Sequence, residues 1–444
     1  MKKTANKFLV VMVVFVLCLI PIQMSAGQPY VSDYETVSPF DLLAAERGVE
    51  FATNYVRTLT MLNNFVDSLP VSRTGELMFP DYFGGAYIDS DGNAVLLMVN
   101  MPVAPPVLEG RDAAYRPISA HIEQMQTSEG VAVREVEFAY GDLWAAIHAL
   151  NDLSQYAPEL LEEVTAYGWH LDVIGNRVVV ELYNFTEETI DIFRSTVFDA
   201  PLLAFVQSDG PIVLDCDMLY ADALQGFYHL SVEEMSIAPF NTIMGGVGEQ
   251  IVVRRNGEFL RSASIGYRAS LGGATGFIVS AHLSSGLRNG DQIYFVIGNR
   301  IIDRLGRVAS ANHVRLQGVD AAFITLDSGV DIRNTTAGVA ISSHIISHIF
   351  VGQEIAATGA TLGSSFGQVT SPTGAVSGTV GGVNVTVNNT IVSNLARAGG
   401  DSGGIVFCIF TGGVFGIHVG GTTAIAHTSR ATEINRALGS SVRR

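Results

Sequence analysis

The second half of the chain alternates short apolar runs with turn-forming residues. Between residues 241 and 444, β-branched and aromatic side chains occur in short runs separated by glycine, asparagine and serine. Runs bounded in this way predict strands, and one stretch near the end predicts a helix. The predicted strands are 251–254, 264–267, 276–280, 293–297, 308–314, 321–326, 354–359, 385–393, 404–410 and 413–419, and the helix is 432–438. This half is therefore expected to be all-β.

The first half mixes helical and alternating patterns. Apolar positions recur at helical spacing before Pro70, and two pairs of alternating segments surround turn-forming residues, which predicts hairpins. The predicted elements are, in order, helix 41–69, strands 87–88 and 94–99, strands 169–174 and 177–183, helix 187–197 and strand 202–206. This half is therefore expected to be an α+β region.

Charge separates the same two halves. Residues 27–240 hold 33 acidic residues and 8 arginines, a balance of −25, whereas residues 241–444 hold 10 acidic residues and 15 arginines, a balance of +5. The net charge of −17 for the whole chain hides this contrast. Opposite charges favour docking of the two halves through long-range attraction. Each half is long enough to form its own core. Nothing in this balance indicates a nucleic-acid partner.

Residues 1–26 have the pattern of a secretory signal peptide. Lysines at 2, 3 and 7 precede an apolar run and a small-residue end, Met24-Ser25-Ala26. The apolar run is short for a membrane span, although an uncleaved anchor is the alternative. We expect secretion, with no stable membrane association after cleavage. The expected organisation is signal peptide 1–26, acidic region 27–240 and basic region 241–444.

A serine in a glycine-rich string is the strongest chemical signal. The string Gly-Gly-Asp-Ser-Gly-Gly at 399–404 places Ser402 where the backbone can approach a ligand closely. Successive N–H groups in such a turn can stabilise a developing oxyanion. A plain glycine-rich hairpin turn is the simpler alternative. The residues that a nucleophilic serine requires are, however, present elsewhere in the chain.

The order of those residues selects one kind of serine enzyme. A nucleophilic serine needs a histidine base that is oriented by a carboxylate. After Ser402 the one acidic residue, Glu433, follows both histidines, so the order Ser, Asp, His is excluded. Upstream, His282 ends a predicted strand and Asp320 directly precedes another. The candidate catalytic set is therefore His282, Asp320 and Ser402.

These motifs resemble those of chymotrypsin-fold serine proteases, most closely the secreted bacterial branch of alpha-lytic protease and the streptogrisins. The resemblance covers about residues 241–439 and includes Ser-Ala-His at 280–282, Asp-Ala-Ala-Phe at 320–323 and the serine string. It implies two antiparallel β-barrels with the active site between them. It also implies an oxyanion hole formed by the backbone N–H groups of Gly400 and Ser402. Protein or peptide substrates follow, with no cofactor and no metal.

The end of the acidic half resembles the C-terminal part of the pro-regions of this family. The resemblance lies in the hairpin, helix and strand predicted between 169 and 206. It implies a pro-region that assists folding and inhibits the protease until it is cleaved, so the chain's own pro-region is an expected partner. The alternative is an unrelated accessory module that stays attached, in a binding or adhesion protein whose proteolysis is silent or secondary.

Substrate selectivity has a weaker signal. The segment Val419-Gly420-Gly421 aligns with the strand that pairs with the substrate backbone in this family. His418 gives Gly-Ile-His-Val-Gly-Gly, which resembles glutamyl endopeptidases, where this histidine helps to bind an acidic side chain. Arg397 lies in the stretch that usually forms the base of the primary pocket. Together they suggest acidic selectivity. The alternative is that Arg397 points to solvent and His418 is an ordinary strand residue.

The cysteines exclude a disulfide within the basic half. Cys18 belongs to the expected signal peptide, which leaves Cys216 in the acidic half and Cys408 in the basic half. A bridge between Cys216 and Cys408 remains open, and two buried free thiols are the favoured interpretation. A domain of this size can fold on its core alone.

Overall fold

The computed structural model describes residues 38–72, 77–99, 122–214, 242–283, 286–297, 300–312, 318–336, 338–380, 383–422 and 424–442. The expected signal peptide 1–26, the junction at 240–241 and Cys216 lie outside these residues. The three-part division of the chain therefore stays a prediction. None of the helices in the described ranges is both long and apolar enough to cross a membrane.

The acidic half combines helices with short strands, as expected. Its helices are α1 (Pro39–Arg47), α2 (Val49–Asp67), α3 (Tyr140–Tyr156), α4 (Pro158–Glu163) and α5 (Glu187–Thr196). Its strands are β1 (Phe83–Ile88), β2 (Ala94–Val99), β3 (Val131–Val136), β4 (Ala166–Asp172), β5 (Arg177–Leu182), β6 (Leu203–Gln207) and β7 (Val213–Leu214).

Both predicted hairpins of the acidic half are confirmed, since β1 pairs with β2 and β4 with β5, each antiparallel. The single helix predicted over 41–69 is wrong. Gly48, with φ of 96°, divides it into α1 and α2. Helix α3 was not predicted, although it buries Leu143, Ile147 and Leu150 on one face.

Nearly all of the regular secondary structure in the basic half is β-strand. Its strands are β8 (Thr242–Gly246), β9 (Gln250–Arg255), β10 (Glu258–Ser264), β11 (Arg268–Leu271), β12 (Ala274–Val279), β13 (Gln292–Ile297), β14 (Arg300–Asn312), β15 (Ala321–Leu326), β16 (Val330–Arg333), β17 (Thr335–Thr336), β18 (Val339–Ala340), β19 (Glu354–Gly359), β20 (Gly363–Val380), β21 (Val383–Ser393), β22 (Ile405–Phe407), β23 (Val414–Gly421), β24 (Ala426–Arg430) and β25 (Ser440–Val442). The helix predicted near its end is confirmed as α6 (Ala431–Leu438).

Two antiparallel sheets organise this half. The first has the order β10-β9-β13-β14-β15-β12-β11-β25. The second contains β19-β22-β23-β24-β21-β20, and an additional pairing between β19 and β20 closes these strands into a barrel. Each sheet encloses its own apolar cluster, around Phe277 and Phe295 in the first and around Ile391 and Phe415 in the second. The all-β, chymotrypsin-like fold class expected from the sequence is confirmed.

The acidic half continues the second sheet. Strand β4 pairs antiparallel with β20, with His170 opposite Gly374 and Trp169 opposite Ala375, and the sheet then runs on through β5 and β6. Trp169 is fully buried, and its indole N–H donates to Asn151 Oδ1 at 2.8 Å. The two halves therefore share one sheet, and the chain from Val37 to Arg444 forms one compact unit.

A second contact between the halves is centred on Tyr55 of α2. Its ring is fully buried and stacks on Phe410 at 5.5 Å, and its hydroxyl accepts a hydrogen bond of 2.8 Å from the backbone N–H of Glu354. Next to it, the N–H of Ile88 donates to the carbonyl of Val351 at 2.9 Å. The core of the acidic half therefore extends into the basic half.

We expect Tyr55→Phe to destabilise the chain by about 1–3 kcal/mol, because the buried N–H of Glu354 loses its acceptor. Urea unfolding followed by circular dichroism measures the effect. Tyr156→Phe is the matched control, because Tyr156 is 83% exposed, and it should change stability by no more than about 0.5 kcal/mol. Equal stability of the two variants would contradict the role assigned to this hydrogen bond.

Candidate active site

His282 is positioned by the end of a central strand. Strand β12 pairs with β11 on one side and β15 on the other, and the chain leaves it through Ser280 and Ala281, both fully buried. Ser280 Oγ donates to the carbonyl of His418 at 3.1 Å, which links this turn to the second sheet. His282 itself is only 2% exposed. The histidine therefore lies at the junction of the two sheets.

Asp320 directly precedes β15 and is fully buried. One carboxylate oxygen accepts hydrogen bonds from the backbone N–H groups of Ala281, at 2.8 Å, and His282, at 2.9 Å. The other oxygen lies 2.5 Å from His282 Nδ1. A buried charge is stable when it is paired and hydrogen-bonded in this way. The arrangement makes Nδ1 the donor and leaves Nε2 of the ring as an acceptor.

Ser402 lies within hydrogen-bonding distance of this acceptor, Nε2 of His282. Its Oγ lies 3.1 Å from His282 Nε2 and 3.3 Å from the carbonyl of Val419, and the residue is fully buried. The structure thus brings together the three side chains that the sequence singled out, in one hydrogen-bonded series. Such a series can remove the serine proton as Oγ attacks a carbonyl carbon.

The loop that carries Ser402 is held by a residue whose role the sequence analysis missed. Asp401 is 6% exposed, and its Oδ2 accepts from Ala398 N at 2.9 Å. Its Oδ1 accepts from Thr361 N at 2.9 Å and from Leu362 N at 3.1 Å. An aspartate inside an otherwise apolar, glycine-rich string was the available signal, because a buried carboxylate requires donors.

Glycine is required on both sides of the serine. Gly400 has φ of 98° and Gly403 has φ of 83°, conformations that other residues rarely adopt. A Cβ on Gly403 would lie 2.8 Å from the carbonyl oxygen of Ser264. Within the described ranges, no hydrogen bond uses the N–H of Gly400 or that of Ser402. Their assignment as the oxyanion hole stays a prediction.

The predicted substrate-pairing residues lie at the end of β23. Val419 is fully buried, and the next two residues pair with a strand of the acidic half, with Gly420 opposite Leu214 and Gly421 opposite Val213. Strand β7 is therefore aligned antiparallel along β23. The edge expected to receive a substrate is covered by the chain itself.

The two residues proposed for acidic selectivity have different settings. Arg397 donates to the carbonyl of Thr422 at 2.8 Å and also to that of Gly421, so it supports the end of β23 and does not simply point to solvent. His418 is 4% exposed. Their roles in substrate binding stay a prediction.

His427, which the sequence did not single out, has a buried position beside this pair. It is 6% exposed, and its Nδ1 lies 2.9 Å from Thr390 Oγ1. Burial lowers the pKa of His427 to about 3, and the charge of Glu181 in the acidic half opposes that shift. Burial in turn raises the pKa of Glu181, but its contact with His170 outweighs this and lowers it overall.

Cys408 is buried and forms no disulfide with any described residue, and the open question of a bridge to Cys216 stays untested. In the part of the chain that the structure describes, no cluster of three or more histidine, cysteine, aspartate or glutamate side chains could hold a metal ion.

The low pKa of His427 predicts a specific loss of stability in acid. Its ordinary value is 6.5 and its folded value about 3, so between these pH values the unfolded chain binds a proton that the folded chain does not. Stability therefore falls as the pH falls. We expect His427→Gln to flatten this slope by about 1.4 kcal/mol per pH unit. Urea unfolding from pH 4 to 7 measures it, with exposed His344→Gln as control. Parallel slopes for all three proteins would contradict the prediction.

Comparison with known proteins gives two kinds of match. A family model described as the Pro-like C-terminal domain matches residues 148–208, which include the β4–β5 hairpin, α5 and β6. No curated protein matches the chain significantly.

Among solved structures, a chymotrypsin of Cellulomonas bogoriensis is 22% identical, with a TM-score of 0.34 over 45% of this chain and 97% of that one. A glutamic acid-specific serine protease is 23% identical, with a TM-score of 0.34 over 44% of this chain and 99% of that one. An alpha-lytic protease homolog, N4, is 18% identical, with a TM-score of 0.36 over 46% and 100%. In its two sheets and its Pro-like domain, the chain resembles bacterial chymotrypsin-fold proteases of the alpha-lytic type.

Proposed function

We propose that the chain is a secreted serine endopeptidase that is synthesised as a zymogen. The observation that carries the proposal is the series of hydrogen bonds from Asp320 through His282 to Ser402. A simple glycine-rich turn would not require a buried histidine and a buried carboxylate beside its serine. The position of these residues at the junction of the two sheets supports the proposal.

The proposed reaction assigns one role to each residue. Ser402 Oγ attacks the carbonyl carbon of the scissile peptide bond while His282 Nε2 accepts its proton. The same proton then passes to the leaving amine, and water completes the cycle by hydrolysing the acyl-enzyme. Asp320 holds the tautomer and stabilises the imidazolium. The N–H groups of Gly400 and Ser402 would bind the oxyanion, and one such donor contributes about 3 kcal/mol to lowering the barrier.

The burial of Ser402 and the pairing of β7 with β23 support the proposal that the chain is made as a zymogen. Ser402 has no exposed surface, and β7 occupies the edge of β23 where a substrate strand would pair. Peptide substrates commonly bind to such an edge by adding a strand. We propose that β7 occupies the substrate position in the intact chain, and that cleavage of the connection between the halves activates the enzyme.

A second function is favoured by the shared sheet and core of the two halves. The pairing of β4 with β20 and the burial of Tyr55 against Phe410 could hold the acidic half in place permanently. The chain would then be a binding or adhesion protein with silent or secondary proteolysis. The intact hydrogen-bonded series at Ser402 favours the peptidase.

Acidic selectivity is a further part of the proposal. His418 lies next to the residues that would pair with substrate, and Arg397 is anchored at the end of the same strand. Both groups could attract a carboxylate at the primary pocket. Because two carbonyls already bind the Arg397 guanidinium, His418 carries most of this proposal.

We expect Ser402→Ala to abolish covalent labelling by a fluorophosphonate while the chain still folds, because the nucleophile is removed. The secreted parent protein should be labelled and should begin near residues 240–243. Ser343→Ala, at an exposed position, is the control and should behave like the parent. Stoichiometric labelling of Ser402→Ala would contradict the nucleophile. A labelled product that still begins at Gly27 would instead support the permanently attached module.

Cleavage of matched peptides tests selectivity. With otherwise identical Glu, Phe and Arg peptides, we expect the highest kcat/KM for Glu. His418→Asn should lower the ratio of Glu to Phe cleavage by about tenfold or more, as expected for loss of a bond to a charged group. His344→Gln should leave the ratio unchanged. Preference for Phe in the parent enzyme would refute acidic selectivity without affecting the proposed nucleophile.

A further inference from the structure

A cavity of about 290 Å³ lies between the two halves, away from the candidate active site. One wall belongs to the acidic half and includes Phe79, Phe83, Tyr140 and Trp144; the other belongs to the basic half and includes Phe350 and Arg430. This volume is near the lower end of the range for small-molecule sites, roughly 300–1,000 Å³. The cavity is therefore large enough for a small organic ligand.

The acidic wall is built from aromatic rings. On α3, Tyr140 and Trp144 stack with centroids 6.0 Å apart, as their spacing of four residues on one helix face allows. Phe79 packs edge-on against Tyr140 at 4.7 Å. Together these rings form a continuous apolar surface that suits an aromatic or branched aliphatic group.

The opposite wall carries an incompletely satisfied cation. Arg430 directly precedes α6, and one of its terminal nitrogens donates to the carbonyl of Pro372. Its Nε is buried and has no hydrogen-bond partner among the residues described. Burial lowers the pKa of Arg430 to about 10, which still leaves it charged at neutral pH. A buried donor without an acceptor is costly, and an anion in the cavity that Arg430 lines would offset the incompletely compensated charge of this side chain.

Neighbouring carboxylates do not neutralise this cation directly. Glu433 pairs with Arg436, and Asp67 pairs with His348 at 2.9 Å. The first turn of α6 already holds the carboxylate of Glu433, which also lines the cavity, so the start of this helix adds no preference for an anion. The cavity thus combines an apolar wall with one positive, incompletely bonded group.

We propose that this cavity binds a small carboxylate with an aromatic or branched apolar body, its carboxylate on Arg430 and its body against Tyr140 and Trp144. Because both halves form the walls, the ligand would stabilise their association. The proposal does not depend on peptidase activity.

The test uses the intact Ser402→Ala chain, so that the halves remain joined whatever the enzyme does. The probe is 3-(4-fluorophenyl)propionate, followed by fluorine NMR, and its uncharged carboxamide is the comparison. We expect saturable binding of the carboxylate at about millimolar concentration or below, and binding at least about tenfold weaker for the amide. This comparison requires no substitution in the cavity.

Substitutions then locate the site. Arg430→Gln should weaken carboxylate binding about tenfold or more, and Ala86→Leu, which fills part of the cavity, should abolish binding of the carboxylate. Arg333→Gln is the matched control, because Arg333 pairs with Glu249 at the surface and does not line the cavity. Equal affinity for acid and amide, unchanged binding in Arg430→Gln, or no saturable binding up to about 20 mM would each overturn the proposal.

Discussion

Compensation of buried negative charge is the constraint on which the candidate site depends. Asp320 and Asp401 are both buried next to Ser402, and most of their hydrogen bonds come from backbone N–H groups. An unpaired carboxylate in such a place would cost several kcal/mol. The turns that supply these N–H groups must therefore keep their conformation, and this fixes both the histidine ring and the serine loop. Apart from the contact between Asp320 and His282 Nδ1, the hydrogen bonds to these carboxylates come from main chain and not from side chains.

The acidic and basic halves also contact each other outside the candidate site. Two polar contacts join the halves locally, and only one has the polarity that their net charges predict: Asp67 of the acidic half lies on His348 of the basic half, whereas Arg47 of the acidic half pairs with Glu354 of the basic half at 3.0 Å. Such exposed or partly exposed pairs contribute little each. The greater contribution comes from the shared sheet and from buried aromatic packing, which is largely hydrophobic. The attraction expected from the charge asymmetry therefore stays a prediction, whereas buried packing and strand pairing join the halves in the structure.

The features that could be predicted from the sequence are those that depend on a local pattern of residues. The hairpins, the fold class and the three residues brought together at Ser402 follow from turn residues and chain order. Sequence reasoning missed strand β20, because that strand is rich in glycine, serine and threonine and contains Pro372. It predicted one helix over 41–69, because the apolar pattern is continuous there, whereas in the structure Gly48 separates α1 from α2. It also missed His427 and Asp401, whose behaviour depends on burial, a property that residue spacing does not reveal.

The position of β7 has a consequence for how coverage of the edge of β23 responds to protein concentration. A segment that belongs to the same chain as the edge it covers competes with outside peptides as an intramolecular ligand. Its effective concentration at the edge is set within one chain and does not depend on the concentration of the protein. Dilution does not lower that value, so the covered edge at Gly420 and Gly421 is equally protected in a crowded compartment and in open medium. Only a change in the connection itself, or a tighter competitor, alters the occupancy of that edge.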